Sequence, residues 1–502
     1  MTPPPGAYKN LESRFARLGA VEDALGILDW DSLTMMPAGA AEGRAAQIAT
    51  LRVIAHELLT DPRIPDLLAA AESEPGLTDG LRANLREMRR AVVHASAVPA
   101  ELVEVSSRAV SACEMTWRIA RPANDFAALL PSLTEVLALQ REIGAAKAAV
   151  LGVSPYEALL NSYEPGVRTA ELDLLFDELA VFLPEFLPRV LERQEQLPAP
   201  LPLSGHYSIV AQRALGEKLM HAVGFDFNRG RLDVSLHPFC GGASGDVRLT
   251  TRYDEFDFSR ALMGVLHESG HALYEQGRPM AWAGQPVGAA RGMALHESQS
   301  LIIEMQAARS RSFLNYLGPL VQEAFGKHDP ALKTDNLYRH YTMVKPDFIR
   351  VDADEVTYPA HVILRYRLEK AMISGDLALI DLPGAWAEGM RGLLGIVPPD
   401  DRQGCLQDIH WPSGGWGYFP TYTLGAAIAA QLFDASRRAV PDLCVGLAQG
   451  DFTPLVTWLR SNVHVYASLF STKELLIRAT GRPLDPAVYR RHLEKRYLEG
   501  EE

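Results

Sequence analysis

Two histidines and a glutamate near the middle of the chain have the spacing of a zinc-peptidase helix. His267, Glu268 and His271 form the pattern H-E-x-x-H. In a helix, residues four apart lie on the same face, so both imidazoles can reach one metal ion at roughly 2.0–2.1 Å. Glu268 follows the first histidine directly, which places a carboxylate where it can take a proton from a zinc-activated water. The pattern therefore predicts a hydrolytic metal site.

A catalytic zinc site needs a third protein ligand and an open position for water. Glu297 is the predicted ligand, because it opens an apolar-periodic stretch beyond His271, after the loop-forming residues 284–288. Glu304 is the alternative, since it lies two turns further on nearly the same face. His296 is a weaker candidate, because its side chain points about 100° away from that of Glu297. Each glutamate could also be an ordinary helix-surface carboxylate.

The first motif lies in a segment with the pattern of a helix. Residues 258–276 carry leucine and valine at helical spacing. Asp257 is a candidate N-cap, and Gly277 before Arg278-Pro279 is a candidate stop. Gly264 and Gly270 lie inside this helix, where each costs about 1 kcal/mol relative to alanine. We therefore expect another backbone to approach closely.

Two upstream segments could line a substrate cleft. In His237-Pro238-Phe239, proline holds the preceding histidine in an extended conformation, which would place its ring at a cleft wall. The alternative, a packed loop histidine, is favoured by the residues alone. Residues 246–250 alternate like a strand, with Arg248 on one face. Such a strand could pair with an extended peptide, or it could be a solvated edge strand with an Asp–Arg ion pair.

Arg350 is a candidate for binding a free carboxylate. An enzyme that releases C-terminal residues must recognise that carboxylate, and the planar guanidinium fork does so best. Arg248 is the second choice. The nearby carboxylates Asp352, Asp354 and Glu355 offer the alternative interpretation, a surface charge cluster that merely neutralises the arginine.

The segment 404–422 is rich in glycine and aromatic residues. It contains His410, Tyr418 and Tyr422 between glycines, a composition that suits a shaped polar pocket. These three side chains could donate hydrogen bonds to the oxyanion that forms when water attacks a carbonyl. An aromatic-rich core loop is the alternative.

The composition predicts a mostly α protein with little β structure. The 502 residues are 47% apolar, and long segments such as 126–153 and 169–195 have a period of 3.6. The clearest strand signal is 248–251. A length of 502 suggests two to four domains, yet the best boundary is the proline-rich stretch 196–205. We expect an N-terminal helical half, 1–205, and a catalytic half, 206–502, within one continuous structural domain.

Charge and cysteine usage restrict the function classes. Acidic residues outnumber basic ones by 62 to 49, which argues against a nucleic-acid partner. Four scattered cysteines without C-x-x-C spacing are typical of reduced thiols in a cytoplasmic protein. The N-terminus does not have the pattern of a signal peptide, and no apolar run reaches the 18 residues that span a bilayer. We therefore expect no membrane contact.

Six ordered motifs together resemble those of the carboxypeptidase Taq family. The N-terminal residues around Trp30 and Arg44 are also similar to the opening of that family, so the resemblance runs nearly end to end. Cys240, after H-P-F, is a small departure from the threonine of many members. The matching segments are His237-Pro238-Phe239, 246–250, 267–271, 296–299, 349–354 and 404–411.

The resemblance implies a fold and an activity that composition does not show. It implies a helical body with a deep groove, similar to neurolysin-like peptidases, whose N-terminal helices cover the groove. The metal would be zinc, replaceable by cobalt, with His267, His271 and Glu297 as ligands and Glu268 as the catalytic base. Members remove C-terminal residues with broad preference, act poorly on proline and commonly form homodimers.

The sequence therefore predicts a cytoplasmic zinc metallocarboxypeptidase that acts on peptides. The nearest alternative is a zinc oligopeptidase that cuts inside peptides, against which a carboxylate-binding arginine argues. The other alternative is a non-catalytic, metal-stabilised binding protein. Glu268 argues against it, because a structural metal site needs no base and prefers four protein ligands.

Overall fold

Helices make up most of the protein, as its sequence predicts. The computed structural model describes residues 6–500. Residues 1–5 and 501–502 lie outside this description, so the interpretation of the extreme N-terminus stays a prediction. The described chain contains twenty α-helices and three short strands. The mostly α fold class with minor β structure is confirmed.

The N-terminal part consists of long helices whose ends have recognisable local signals. Asp125 caps the sixth helix by accepting a hydrogen bond from the backbone N–H of Ala128 at 2.9 Å. Gly152 ends the same helix with φ of 66°. The first nine helices are α1 Ala7–Thr34, α2 Ala41–Thr60, α3 Ile64–Glu72, α4 Asp79–Ser96, α5 Ala100–Ala123, α6 Phe126–Leu151, α7 Pro155–Leu160, α8 Thr169–Glu195 and α9 Ile209–Val223.

The remaining helices build the part of the protein that carries the chemical motifs. Two of them continue into π-helical turns, Ile302–Ala308 and Lys495–Glu499, a conformation that is frequent at functional sites. The helices are α10 Phe258–Gly277, α11 Met293–Leu301, α12 Arg311–Phe325, α13 Thr334–Tyr341, α14 Tyr358–Ser374, α15 Leu382–Leu394, α16 Pro420–Ala439, α17 Leu443–Leu447, α18 Thr453–Asn462, α19 Thr472–Thr480 and α20 Pro486–Glu494.

A three-stranded sheet precedes the helix that carries the H-E-x-x-H motif. Its strands are β1 Gly230–Val234, β2 Cys240–Ala243 and β3 Asp246–Thr251, in the order β1-β3-β2. The central strand β3 pairs in parallel with β1 and antiparallel with β2. The strand predicted at residues 248–251 therefore corresponds to the last four residues of β3.

Three helices are held unusually close together around the motif. A Cβ atom on Gly270 of α10 would lie 2.3 Å from the carbonyl oxygen of Gln299 in α11. A Cβ atom on Gly425 of α16 would lie 2.7 Å from the Cβ of Glu297, on α11. The expectation of a close neighbour is thus met at Gly270. It is not met at Gly264, where an added Cβ atom would lie 3.9 Å from the nearest atom, the hydroxyl oxygen of Thr251.

The main hydrophobic core contains residues from both sides of the stretch 196–205. It runs from Ala109 to Tyr497 and includes side chains of α5, α6 and α8 as well as those of α10 to α16. A smaller core, from Tyr8 to Val92, joins the first four helices. The division at residue 205 stays a prediction.

The structure was also searched for helices that could cross a membrane. Within residues 6–500, no helix is both long and apolar enough for this.

The contrast between the two glycines of α10 yields a matched pair of variants. Gly270→Ala is expected to destabilise the protein by about 1–3 kcal/mol, because its Cβ overlaps backbone that cannot move independently. Gly264→Ala has room and gains helix propensity, so we expect an unchanged or higher Tm. Thermal unfolding followed by circular dichroism measures both. Equal Tm values would contradict the close packing of α10 on α11.

Candidate metal centre

Three predicted ligands come together beside a cavity. One ligand atom each of His267, His271 and Glu297 lie within 4.8 Å of one another. The Nε2 of His271 is 3.6 Å from Oε2 of Glu297. Tetrahedral bonds of about 2.1 Å place ligand atoms roughly 3.4 Å apart, so the arrangement fits a divalent metal. Two imidazoles and a carboxylate are also the ligand set of catalytic zinc sites.

Glu304 holds the first histidine instead of joining this cluster. Its Oε2 lies 2.9 Å from Nδ1 of His267, and its Oε1 accepts a hydrogen bond from Arg309 at 2.5 Å. Glu304 lies in the π-helical turn that continues α11. A carboxylate on the outer nitrogen orients a metal-binding imidazole and raises its basicity. Glu304, the alternative ligand, is therefore placed to orient His267.

The second histidine is held by a chain of polar groups. Nδ1 of His271 is 3.1 Å from the carbonyl oxygen of His296 and 2.6 Å from that residue's Nδ1. Nε2 of His296 lies 2.9 Å from Glu275, which is paired with Arg278. This arrangement leaves Nε2 of His271 facing Glu297, so His296 contacts a predicted ligand from outside the cluster.

The charges of the cluster favour a cation at its centre. Burial alone lowers the pKa of His267, but the hydrogen bond with Glu304 and the charges of Glu297 and Glu268 raise it to about 10. Burial raises the pKa of Glu268 to about 7 and also raises that of Glu297. Carboxylates therefore exceed cations here, and a divalent metal would restore the balance.

The cavity beside the cluster has a volume of about 420 Å³. Among the residues singled out from the sequence, Glu268, Arg350 and Tyr422 line it together with His267 and Glu297. Glu268 is 7% exposed and does not belong to the ligand cluster. It therefore lines the cavity beside the predicted ligands without being one of them.

Two predicted residues lie elsewhere. His237 is exposed, while its neighbour Pro238 lines the cavity. Arg248 makes a bidentate pair with Asp246, with distances of 2.6 to 3.1 Å, and its guanidinium lies 4.3 Å from the ring centre of Trp30. The charge of Arg248 is thus compensated outside the cavity.

Arg350 has a different environment from the one its sequence neighbours suggest. Its guanidinium donates to Asp408 at 2.8 Å and to the hydroxyl of Tyr358 at 3.1 Å. Asp408 also accepts from Arg365 at 2.7 Å. These two arginines share one carboxylate, and both are buried. The group therefore carries a net positive charge at the cavity wall.

The aromatic-rich segment 404–422 brings its three candidate oxyanion donors together. The hydroxyl of Tyr422 is 3.4 Å from Nε2 of His410, and the rings of Tyr418 and Tyr422 are 5.3 Å apart. Burial lowers the pKa of His410 to about 4, so this ring is neutral near pH 7. Tyr422 lines the cavity, whereas Tyr418 and His410 stand behind it.

Sequence reasoning missed several groups at this site. Tyr358 lines the cavity at the start of α14, and Arg365 shares Asp408 with Arg350. The i, i+7 spacing of Tyr358 and Arg365 was a usable signal, because it puts both on one helix face. The pairing of Glu275 with His296 had no signal, since it depends on how α10 and α11 meet.

Comparisons with known proteins agree with this geometry. The family described as carboxypeptidase Taq (M32) metallopeptidase matches residues 10–497. Thermostable carboxypeptidase 1 of Thermus thermophilus is 40% identical over 98% of this chain and 99% of that protein. Among solved structures, Trypanosoma cruzi metallocarboxypeptidase 1 has a TM-score of 0.96 and 42% identity, covering 98% of this chain and 99% of its own. The M32 carboxypeptidase of Deinococcus radiodurans has a TM-score of 0.93 and 35% identity, covering 98% of this chain and 99% of its own.

Different outcomes are expected when Glu297 and Glu304 are changed. Glu297→Ala removes one of three ligands, so the purified protein should contain little metal. Glu304→Ala removes a supporting carboxylate, which typically weakens metal binding about 10- to 100-fold. Metal content by mass spectrometry and competition with a chelator measure both, with the exposed Glu323→Ala as control. Full metal retention by Glu297→Ala would contradict the assignment of the ligands.

Proposed function

The chain belongs to the carboxypeptidase Taq (M32) family of metallopeptidases, and we propose that it removes C-terminal residues from peptides with a bound zinc ion. Membership makes it a peptide hydrolase and contradicts the non-catalytic alternative. The observation that carries the finer proposal is the buried Arg350, which shares Asp408 with Arg365 and lines the same cavity as His267 and Glu297.

His267, His271 and Glu297 would hold the metal, and cobalt could substitute for zinc. The metal supplies Lewis-acid polarisation of the peptide carbonyl and lowers the pKa of water toward roughly 7. Glu304 and His296 keep the imidazoles oriented. Their contacts restrict rotation of the rings, which preserves the ligand positions when substrate enters.

Glu268 is proposed to be the general base and then the general acid. It lies in the cavity, outside the ligand cluster, and burial raises its pKa to about 7. A carboxyl group with a pKa near the working pH can both accept and return a proton. It takes the proton of the attacking water at its carboxylate oxygen and passes it to the leaving amine.

Arg350 is proposed to bind the free C-terminal carboxylate of the substrate. Asp408 compensates one positive charge, and the pair of Arg350 with Arg365 carries two. A substrate carboxylate would neutralise the remaining positive charge and accept charge-assisted hydrogen bonds. Arg248 remains the second choice, with less support, because its guanidinium group is already paired with Asp246.

Tyr422 is proposed to donate a hydrogen bond to the oxyanion, since its side chain lines the cavity. His410 and Tyr418 would hold the ring of Tyr422 from behind. Such donors act on charge that develops only in the transition state, and one of them typically contributes about 100- to 1000-fold to turnover. His237 remains a further candidate without contact to this cavity.

The remaining proposals follow from the family resemblance and the composition. We propose broad side-chain preference, poor action on proline, a homodimer, and N-terminal helices that exclude folded proteins from the groove. The four cysteines are free thiols, which supports a cytoplasmic location. Peptides are the proposed partners, and nucleic acids are not.

Glu268→Gln is expected to keep about one zinc ion per chain and to lose most activity. The amide has nearly the same shape but cannot accept the proton, so kcat should fall about 100- to 10,000-fold. Stopped assays on an N-blocked dipeptide measure turnover, and metal analysis measures zinc content, so a loss of catalysis is separated from a loss of metal. Glu323→Gln, on the surface of α12, is the matched control. A turnover near normal in Glu268→Gln would refute its role.

Arg350→Ala is expected to raise KM for free-acid peptides roughly 10- to 100-fold, the factor that a charge-assisted pair implies. It should also narrow the difference between free-acid and C-terminally amidated peptides. Product analysis by mass spectrometry measures both, with Arg248→Ala as the comparison. If the unaltered enzyme cuts amidated peptides at internal bonds as fast as free acids, the oligopeptidase alternative is correct.

A further inference from the structure

A buried carboxylate on α14, that of Glu369, is not used by the reaction proposed above. Its side chain is 0% exposed, and its hydrogen-bond donors belong to two other parts of the chain. Oε1 accepts a hydrogen bond from the indole N–H of Trp411 at 3.0 Å. Oε2 accepts one from the backbone N–H of Gly417 at 3.1 Å and one from the hydroxyl of Tyr156, on α7, at 2.8 Å. Glu369 therefore joins α14 to α7 and to the segment 404–422.

The donors around Glu369 require an acceptor at each of its two oxygens. An indole N–H and a backbone N–H can only donate, whereas a tyrosine hydroxyl can turn and accept instead. One such fixed donor faces each oxygen, so an amide at this position would place its NH2 group against an N–H. Burial raises the pKa of Glu369 to about 7, so the group is mostly ionised above about pH 8. Glutamine therefore cannot make the contacts that glutamate makes here.

The part of the segment that Glu369 contacts is buried and closely packed. Residues 411–417 form turns without helix or strand. Trp411 is 4% exposed. Gly417 has a φ of 89°, and a Cβ atom there would lie 2.8 Å from the backbone nitrogen of Leu160, at the end of α7. The turns 411–417 thus have little room to move while the hydrogen bonds of Glu369 are in place.

Two groups that the proposed reaction uses lie on either side of these turns. Asp408 accepts a hydrogen bond from the guanidinium of Arg350 at 2.8 Å, and the side chain of Gln407 accepts one from the backbone N–H of Arg350 at 2.8 Å. Tyr422, in the first turn of α16, lines the cavity beside the predicted metal ligands. A shift of residues 411–417 would therefore move the proposed carboxylate site and the proposed oxyanion donor.

Helix α14 holds the segment at two positions that are one turn apart. Arg365 and Glu369 are separated by four residues, so they lie on one face of the helix. Arg365 donates to Asp408 at 2.7 Å, and Glu369 holds the turns that follow. The contact at Asp408 fixes only one point. A second fixed point is needed to set the direction in which the chain continues toward Tyr422.

We propose that Glu369 is a positioning residue for the reaction: its hydrogen bonds fix residues 411–417, and through them the positions of Arg350 and Tyr422 at the cavity. This inference rests on the proposed carboxypeptidase activity, because Arg350 and Tyr422 act on the substrate only in that proposal. The alternative is that Glu369 contributes to stability alone. In that case its loss lowers Tm and leaves the kinetics of the folded enzyme unchanged.

Two variants that each remove one hydrogen bond to Glu369 distinguish these roles. Trp411→Phe removes the bond to the segment 404–422 and keeps an aromatic ring, whereas Tyr156→Phe removes the bond to α7. For free-acid peptides, Trp411→Phe should lower kcat/KM about 3- to 10-fold, and Tyr156→Phe should leave it within about twofold. Steady-state kinetics of the zinc-loaded variants, at a temperature well below both Tm values, measure this difference.

Glu369→Gln disturbs both contacts with the segment and should lower kcat/KM about 10- to 100-fold, while the zinc content stays at about one ion per chain. The loss should appear in KM and in kcat, since Arg350 acts in binding and Tyr422 in the transition state. The preference for free-acid over C-terminally amidated peptides should narrow. Adding Trp411→Phe to Glu369→Gln should cause no further loss, because both changes act through one contact.

The results separate this inference from the function on which it rests. If the unaltered zinc-loaded enzyme releases no C-terminal residue from any peptide, the proposed activity is wrong and the inference falls with it. In an active enzyme, equal kcat/KM values for Trp411→Phe and Tyr156→Phe would leave Glu369 a structural role alone. A folded Glu369→Gln variant whose kcat/KM stays within about twofold would do the same. If Glu369→Gln does not fold, the pair of variants at positions 411 and 156 decides.

Discussion

The close approach of three helices at two glycines determines where the reactive groups stand. Gly270 lets α10 lie against the backbone of α11, so that His271, the next residue, meets Glu297. Gly425 lets α16 close on the opposite side of Glu297. The same helix carries Tyr422 one turn earlier, so the predicted carboxylate ligand and the proposed oxyanion donor are placed by one contact. A Cβ at either glycine would separate groups that must meet within a few ångströms.

Buried charges at the site divide into those with a partner and those without one. Glu304 has Arg309, and Glu275 has His296 and Arg278. In these pairs the charge of each carboxylate is balanced by a cation of the same chain, and the carboxylates hold the neighbouring histidines in place. Burial outweighs the nearby cations and raises the pKa of Glu268 and of Glu297, and Arg350 shares its counter-ion with a second arginine. Burying a charge without compensation is costly, so the incomplete positions mark where a metal and a substrate carboxylate would complete the balance.

Sequence patterns predicted helical content, the zinc-peptidase helix and a third carboxylate, because these depend on spacing within single elements. They favoured Glu297 over Glu304 as the third ligand, but they did not predict that Glu304 contacts His267, because the two glutamates lie on nearly the same face in an ideal α-helix. The π-helical turn at residues 302–308 changes that register and turns Glu304 toward the outer nitrogen of His267. Patterns also did not find the partner of Arg350, because Asp408 lies far along the chain. Non-local pairing of this kind leaves no local signal.

The segment from Asp408 to Tyr422 contributes to two parts of the proposed site. Asp408 pairs with Arg350, the proposed binder of the substrate carboxylate, and Tyr422 lines the same cavity as Arg350 and Glu297. Positions 408 and 422 lie in one segment of the chain, so the same segment would set where the carboxylate binds and where an oxyanion donor stands. The two arginines that share Asp408 would then orient the peptide by charge, before any side-chain pocket acts.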